Sequence, residues 1–265
     1  MPEPRCAIVT GASSGIGRAV AVEFGHHGWR VALGARRQDR LEETAAEVQA
    51  AGGAARALAL DVQDPDSIAA FFGAAEAAVG PVDVLVNNAG VASPGWLHEL
   101  SVEAVERDVK TNLLGPLLMS RLAVRSLRDR GAGGDLVFIT SDATRHPRPR
   151  MDPYTATKAG LEALAQSLAL ELAGTGIRAT TVRVGPTISE FGFGWPIDEL
   201  TELMAYWPRF GLQRHGGFLE ASAVARAVAT AVTAPPGVLF DTIEVQPEAP
   251  VGDVGPAPII ERPTE

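Results

Sequence analysis

Tyr154 and Lys158 have the types and the spacing to move a proton. They sit in the stretch Tyr154-Thr155-Ala156-Thr157-Lys158, which opens an Ala- and Leu-rich run that reads as a long helix. Residues four apart on a helix share a face, so the phenol and the ammonium can converge on one point. A fixed cation favours phenolate and pulls a tyrosine pKa down from about 10. Bringing it near 7 takes about 4 kcal/mol, more than one lysine supplies without a second positive charge nearby. Thirteen residues upstream, Ser141 ends the apolar run Leu136-Val137-Phe138-Ile139-Thr140, where a strand would deliver its hydroxyl to the mouth of a sheet. A Tyr and a Lys four apart are often no more than a solvated pair on a helix face, so the rest of the chain has to decide between the two readings.

The elements that must position these groups alternate in type. Strands are expected at Cys6–Val9, Arg30–Leu33, Arg56–Leu60, Val82–Val86, Leu136–Thr140, Ile177–Val184 and Thr242–Val245. Helices are expected at Ile16–His27, Arg40–Ala51, Ser67–Val79, a long stretch from Val102 to Arg128, Pro153–Leu172 and Ala223–Val232, with an irregular segment after the sixth strand. Such alternation with short connections implies an α/β fold, a parallel sheet covered by helices on both faces. Residues 1–246 read as one domain without linker or repeat. Residues 247–265 hold Pro247, Pro250, Pro256, Pro258 and Pro263 and read as an extended tail.

Bulk properties narrow the function. A net charge of −9 argues against nucleic acid or an anionic membrane surface as a partner. The single cysteine, Cys6, lies in an apolar run and reads as a core residue. With no apolar run long enough to span a bilayer and no signal-peptide layout, a cytoplasmic location is expected. No metal-ligating pattern stands out.

The first strand is followed by Thr10-Gly11-Ala12-Ser13-Ser14-Gly15-Ile16-Gly17. A glycine-rich turn between a strand and a helix is the setting of a dinucleotide site. Gly11 permits the tight turn, Gly15 lets main chain approach a pyrophosphate, and the helix N-terminus attracts anions. The second strand leads into Gly34-Ala35-Arg36-Arg37, where a carboxylate would bind the ribose hydroxyls of NAD. None is present, and Arg36, with Arg37 beside it, suits the 2′-phosphate of NADP as a planar fork. Asp61-Val62 ends the third strand and is placed to meet an adenine ring or cap the next turn; Asn87-Asn88-Ala89-Gly90 ends the fourth. Asn112 interrupts an apolar helical stretch and needs a reason, such as holding an ordered water.

The turn at 10–17, Asn87–Gly90, Ser141, and Tyr154 with Lys158 together resemble the short-chain dehydrogenase/reductase family over about Arg5 to Val245. The resemblance implies a Rossmann-like, doubly wound sheet of seven mostly parallel strands, a nicotinamide cofactor and a proton relay matched by Asn112, Ser141, Tyr154 and Lys158. In that relay Lys158 holds the cofactor ribose and Asn112 a water. The family segment Pro-Gly with a Thr four residues on is matched by Val184-Gly185-Pro186-Thr187-Ile188-Ser189, so Gly185, Thr187 and Ser189 are implied in cofactor contact while Val184 departs from the pattern.

The same resemblance makes residues 186–218 the substrate cover. Phe191, Phe193, Trp195, Tyr206, Trp207, Phe210 and Phe218 concentrate there, suggesting a greasy lid; Phe191, Phe193 and Trp195, with Ser141 and Asp142, are candidate substrate contacts. Arg145, His146, Arg148 and Arg150 are candidates for the opposite wall. The expected activity is NADP(H)-dependent hydride exchange with an apolar carbonyl or alcohol, in a homotetramer or homodimer. An NAD-dependent alcohol dehydrogenase, a cofactor-binding sensor and an enoyl reductase are the competing readings.

Overall fold

The computed structural model describes residues 4–192, 194–210 and 216–249. Seven strands are present among them: β1 (Cys6–Thr10), β2 (Arg30–Ala35), β3 (Ala54–Ala59), β4 (Val84–Asn87), β5 (Gly134–Ser141), β6 (Ile177–Val184) and β7 (Thr242–Val245). The helices are α1 (Gly15–His26), α2 (Gln38–Ala50), α3 (Pro65–Val79), α4 (Val102–Val109), α5 (Gly115–Asp129), α6 (Asp152–Glu171), α7 (Ile197–Tyr206) and α8 (Ala221–Val232). The strands form one sheet in the order β3-β2-β1-β4-β5-β6-β7, every adjacent pair parallel. This is the Rossmann-like fold expected from the sequence. Strand order reverses between β1 and β4, and a crevice opens beyond the carboxyl ends of these strands.

The strands read as continuous apolar runs because both faces of the sheet are covered. Alternate residues of β1 feed two cores. Ala7 and Val9 face a cluster holding Val20 and Phe24 of α1, Leu41 and Val48 of α2, and Val224 and Val228 of α8. Cys6 and Ile8 face the other, with Phe71 of α3, Met119 and Leu127 of α5, and Leu161 of α6. α1 packs directly on α8, and their apolar faces close over each other. Cys6 is buried as expected, its thiol donating to the Val79 carbonyl at 2.8 Å.

Two elements differ from the sequence reading. The long helix from Val102 is not uniform: Lys110–Leu114 form a π-helical turn between α4 and α5. Pro116 supplies the reason, having no N–H for the carbonyl of Asn112 four residues back and a ring that collides with it in a regular helix. The segment after β6 is not wholly irregular either. It contains α7 and a 3₁₀ turn, Trp207–Phe210. Among the described residues no helix is long and apolar enough to cross a membrane. Residues 247–249 carry no regular secondary structure; the rest of the expected proline-rich tail lies outside the described residues.

Candidate active site

The glycine-rich turn is fixed by a main-chain bond and by the short side chains of Thr10 and Asn88. Gly11 takes φ of +67°, in the left-handed region, and its N–H donates to the Gly34 carbonyl at 2.7 Å. Thr10 Oγ1 accepts from the N–H groups of Asn88 and Ala89 at 3.0 and 3.1 Å, and Asn88 Nδ2 donates back to the Thr10 carbonyl at 2.9 Å. The ends of β1 and β4 are thereby tied together. Gly17 is buried behind the turn, where a Cβ would lie 2.5 Å from Asn88 Nδ2 and closer still to the Gly11 carbonyl oxygen. Ser14 sits at the N-cap of α1 without a side-chain cap bond.

The crevice is a cleft of about 650 Å³. It is lined by Gly11, Ser13, Ser14, Gly15, Ile16, Arg36, Arg37, Asp61, Val62, Asn88, Ala89, Gly90, Gly185, Thr187 and Ser189 of the expected cofactor set, and by Ser141, Asp142, Tyr154, Lys158, Phe191 and Trp195. The fit to a dinucleotide rests on the turn itself, whose main chain lines the cleft at Gly11 and Gly15 with no side chain in the way, beside a helix N-terminus suited to phosphate. Asp61 Oδ1 caps the N–H of Gln63 at 3.0 Å, and Asp61 also lines the cleft, so both of its expected uses are compatible. Arg36 is exposed and forms no ion pair with any described residue. Arg37 is engaged: its guanidinium donates to Glu190 at 2.7 Å, Ser13 Oγ at 3.0 Å and Ser14 Oγ at 2.9 Å.

At the buried end, β5 and α6 bring the proton-transfer candidates together. Ser141 and Tyr154 line the same end of the cleft, and Ser141 Oγ accepts from the Ala143 N–H at 3.2 Å and donates to Asp142 Oδ1 at a long 3.3 Å. Lys158 Nζ donates to the Ile139 carbonyl at 2.8 Å and lies 5.8 Å from the centre of the Tyr154 ring. Burial pushes the Tyr154 pKa up to about 12, against opposing pulls from Ser141 and Arg148. Burial pushes Lys158 down to about 8. Desolvation outweighs the positive charges that the protein itself provides, so the lowering expected from the sequence needs the second positive charge named there.

Asn112 is fully buried and sits behind the cleft wall. Its side-chain amide is taken up by the main chain of Val91, accepting at 2.9 Å and donating at 2.8 Å, and by Thr157 Oγ1 at 3.1 Å. The amide thereby fastens the loop after β4 to α6.

The substrate side is built from side chains. Phe191 stands 5.3 Å from the Tyr154 ring and 5.6 Å from Trp195, centre to centre. Trp195 Nε1 donates to the Ala92 carbonyl at 3.0 Å, and Trp207 Nε1 to the Pro149 carbonyl at 3.1 Å. Trp207 and Phe218 also line the cleft; Phe193 and the Phe210 side chain lie outside what the structure describes. Arg148 lines the cleft and grips Asp142 with two bonds, at 2.7 and 2.8 Å. Arg145 and His146 are exposed outside it. Arg150 is buried with φ of +67°, strained for a residue with a Cβ. Its guanidinium reaches Glu202 of α7 at 2.7 Å, pairs with Glu199, and stacks 5.1 Å over Trp96.

A family model described as short chain dehydrogenase matches residues 5–193. The chain belongs to the short-chain dehydrogenase family. It is 36% identical over 220 residues to an NADPH-dependent aldehyde reductase-like protein of Arabidopsis thaliana, chloroplastic by its name, covering 78% of this chain and 81% of that one. It is likewise 36% identical over 189 residues to an L-rhamnose 1-dehydrogenase (NAD(P)(+)) of Sphingomonas, covering 71% and 74%. An alcohol dehydrogenase from the archaeon Thermococcus sibiricus, solved with 5-hydroxy-NADP, superposes with a TM-score of 0.78 at 30% identity over 93% of this chain and 100% of that one.

Several cleft residues of this short-chain dehydrogenase escaped the sequence reading, among them Glu190, Met151, Leu200 and Thr111. Met151 and Leu200 stand among charged neighbours, Arg150 and Asp152 for the one and Glu199 and Glu202 for the other, and belong to no apolar run. Glu190 carries no local pattern that marks it.

Proposed function

We propose that this protein exchanges hydride between NADP(H) and the carbonyl or secondary alcohol of a small, largely apolar molecule, working as a carbonyl reductase. The observation that carries this reading is the meeting of the Ser141 hydroxyl and the buried Tyr154 phenol at the closed end of the cleft, with Lys158 beside them. A nicotinamide dinucleotide, when bound, supplies the hydride. Gly11, Ser13, Ser14, Gly15 and Ile16 would hold its diphosphate, with Gly17 packing behind them. Asp61 and Val62 would flank its adenine, Arg36 and Arg37 its 2′-phosphate, and Asn88, Ala89, Gly90, Gly185, Thr187 and Ser189 its nicotinamide half.

Tyr154 acts as general acid, passing its proton to the carbonyl oxygen as negative charge builds there. Its raised pKa keeps the phenol protonated at neutral pH, the form that reduction needs. Ser141 donates to the same oxygen; its 3.3 Å bond to Asp142 is long and readily exchanged for a better acceptor. Lys158, at about 8, remains charged at neutral pH and favours the phenolate left behind. Asn112 positions Val91 and Thr157 around this group. Phe191, Trp195 and Trp207 exclude water and favour an apolar substrate.

Exposed Leu117 and Leu170, on α5 and α6, support pairing of subunits through these helices, whereas Ala165 of α6 faces the core. The test is a panel of ketones and alcohols assayed with both cofactors at the reduced-nicotinamide absorbance. Turnover of ketones with NADPH preferred by at least about tenfold in kcat/KM is expected. Tight NADPH binding without any turnover would make the protein a sensor, and equal use of both cofactors would overturn the expected preference for NADPH.

A further inference from the structure

The guanidinium of Arg37 faces three acceptors at the mouth of the cleft, and one of them is an anion from the opposite bank. Glu190, in the segment after β6, accepts from Arg37 at 2.7 Å; Ser13 and Ser14 of the glycine-rich turn complete the ring at 3.0 and 2.9 Å. Arg37 and Ser14 hold the Glu190 carboxyl below its ordinary range, Arg37 foremost, so the group is an anion throughout the neutral range. The other basic residues nearby are already partnered: Arg18 by Glu47, Arg40 by Glu43 at 3.1 Å. Arg36, lining the same cleft, has no such partner among the described residues. A cationic corner built from an arginine and two hydroxyls is thus already occupied by a carboxylate.

We propose that Glu190 is a specificity-determining residue that competes with the cofactor's 2′-phosphate for Arg37, so that the protein discriminates between NADPH and NADH less than its two arginines allow. The inference rests on the assignment of Arg36 and Arg37 to that phosphate. A phosphate entering the corner shares Arg37 with Glu190 or displaces it, and two like charges around one guanidinium repel. NADH has only hydroxyls there and meets no such penalty. Glu190 therefore lowers affinity for the phosphorylated cofactor alone, while Arg36 remains free to bind it.

Isothermal titration calorimetry with NADPH, NADH and 2′,5′-ADP on the wild type, Glu190→Gln, Arg37→Ala and the double variant tests this. Glu190→Gln is expected to tighten NADPH and 2′,5′-ADP by about fivefold, the scale of one exposed ion pair, and to change NADH by less than about twofold. In the Arg37→Ala background the gain should vanish, which a merely structural effect of Glu190 on its segment would not produce. Equal tightening or equal weakening of both dinucleotides would overturn the proposal, since it would make Glu190 a strap across the cleft rather than a competitor. The two readings fail separately. A wild type that prefers NADPH while Glu190→Gln changes nothing sinks the role of Glu190 and leaves the arginines in place. A wild type without preference that acquires one in Glu190→Gln sustains the competition and sinks the predicted wild-type selectivity.

Discussion

The turn after β1 and the segment after β6 face each other across one cleft, and they are held by different means. The first is fastened close to the backbone: the Gly11 N–H to the Gly34 carbonyl, and the N–H groups of Asn88 and Ala89 to the Thr10 hydroxyl, with glycine where a side chain would intrude. Beyond a main-chain bridge of Pro186 and Ile188 to Leu219, the second hangs on single side chains, with Arg150 between Glu199 and Glu202, and two indole N–H groups on the carbonyls of Ala92 and Pro149. Backbone fastening tolerates few residue types and serves any substrate. Side-chain fastening is replaceable piece by piece, which suits the bank that must fit a particular molecule. The first bank should consequently fail in one step and the second by degrees.

The sharpest break is Gly17→Ala. A methyl group there lies 2.5 Å from Asn88 Nδ2 and closer to main chain, with no flexible atom to give way. Loss of NADPH affinity by ~10³-fold or outright misfolding is expected, read by calorimetry and circular dichroism. Affinity within tenfold of wild type would show that the backbone-held bank is softer than described.

Next in size is a pH effect at the point where the banks meet. Lys158 titrates near 8 in the fold and near 10.5 when unfolded, so between those values the unfolded chain binds the extra proton and stability rises with pH. The rise amounts to about 3 kcal/mol at most and is absent in Lys158→Met. Tyr154, raised to about 12, acts oppositely above pH 10, where the unfolded chain loses its proton first. Thermal melts of both proteins from pH 7 to 10 check this, and parallel curves would mean that Lys158 is solvated.

Tyr154→Phe keeps the ring against Phe191 but removes the acid; kcat should fall at least about 10²-fold with NADPH affinity nearly unchanged. Activity within a few-fold of wild type would take Tyr154 out of the chemistry. The smallest effect is expected on the side-chain-held bank. Arg150→Met frees α7 from Glu199 and Glu202 but preserves bulk over Trp96, and KM should rise about tenfold while kcat stays within about threefold. A collapse of kcat there would mean that this bank is as all-or-none as the other.

This difference also explains what could be read in advance. The glycine-rich turn, the arginines after β2 and the Tyr–Lys pair are local patterns, and strand and helix periodicity placed them correctly. α7 gave no such signal. Of its apolar residues Leu203 is fully buried while Ile197 is largely exposed, and Asp198, Glu199 and Glu202 make it read as a solvated loop. What ties it down is Arg150, some fifty residues earlier, through Glu199 and Glu202. Glu190 and Arg37 are 153 residues apart, and no local pattern announces a pairing of that range. The raised Tyr154 pKa depends on burial by Phe191 and its neighbours, again a product of the fold rather than of spacing.

The packing of α1 on α8 bears on how the protein is made. Val20 and Phe24 of α1, which follow directly on the glycine-rich turn, rest against Val224 and Val228 of α8. During synthesis the turn leaves the ribosome about two hundred residues ahead of the partner that seats its helix. Until then a stripe of valine and phenylalanine stays open to water and to any nascent neighbour. A chain stalled before residue 221 carries every residue that would touch a dinucleotide, yet its turn is anchored on one side only. A dinucleotide is therefore expected to be held firmly only by a chain whose α8 has docked on α1.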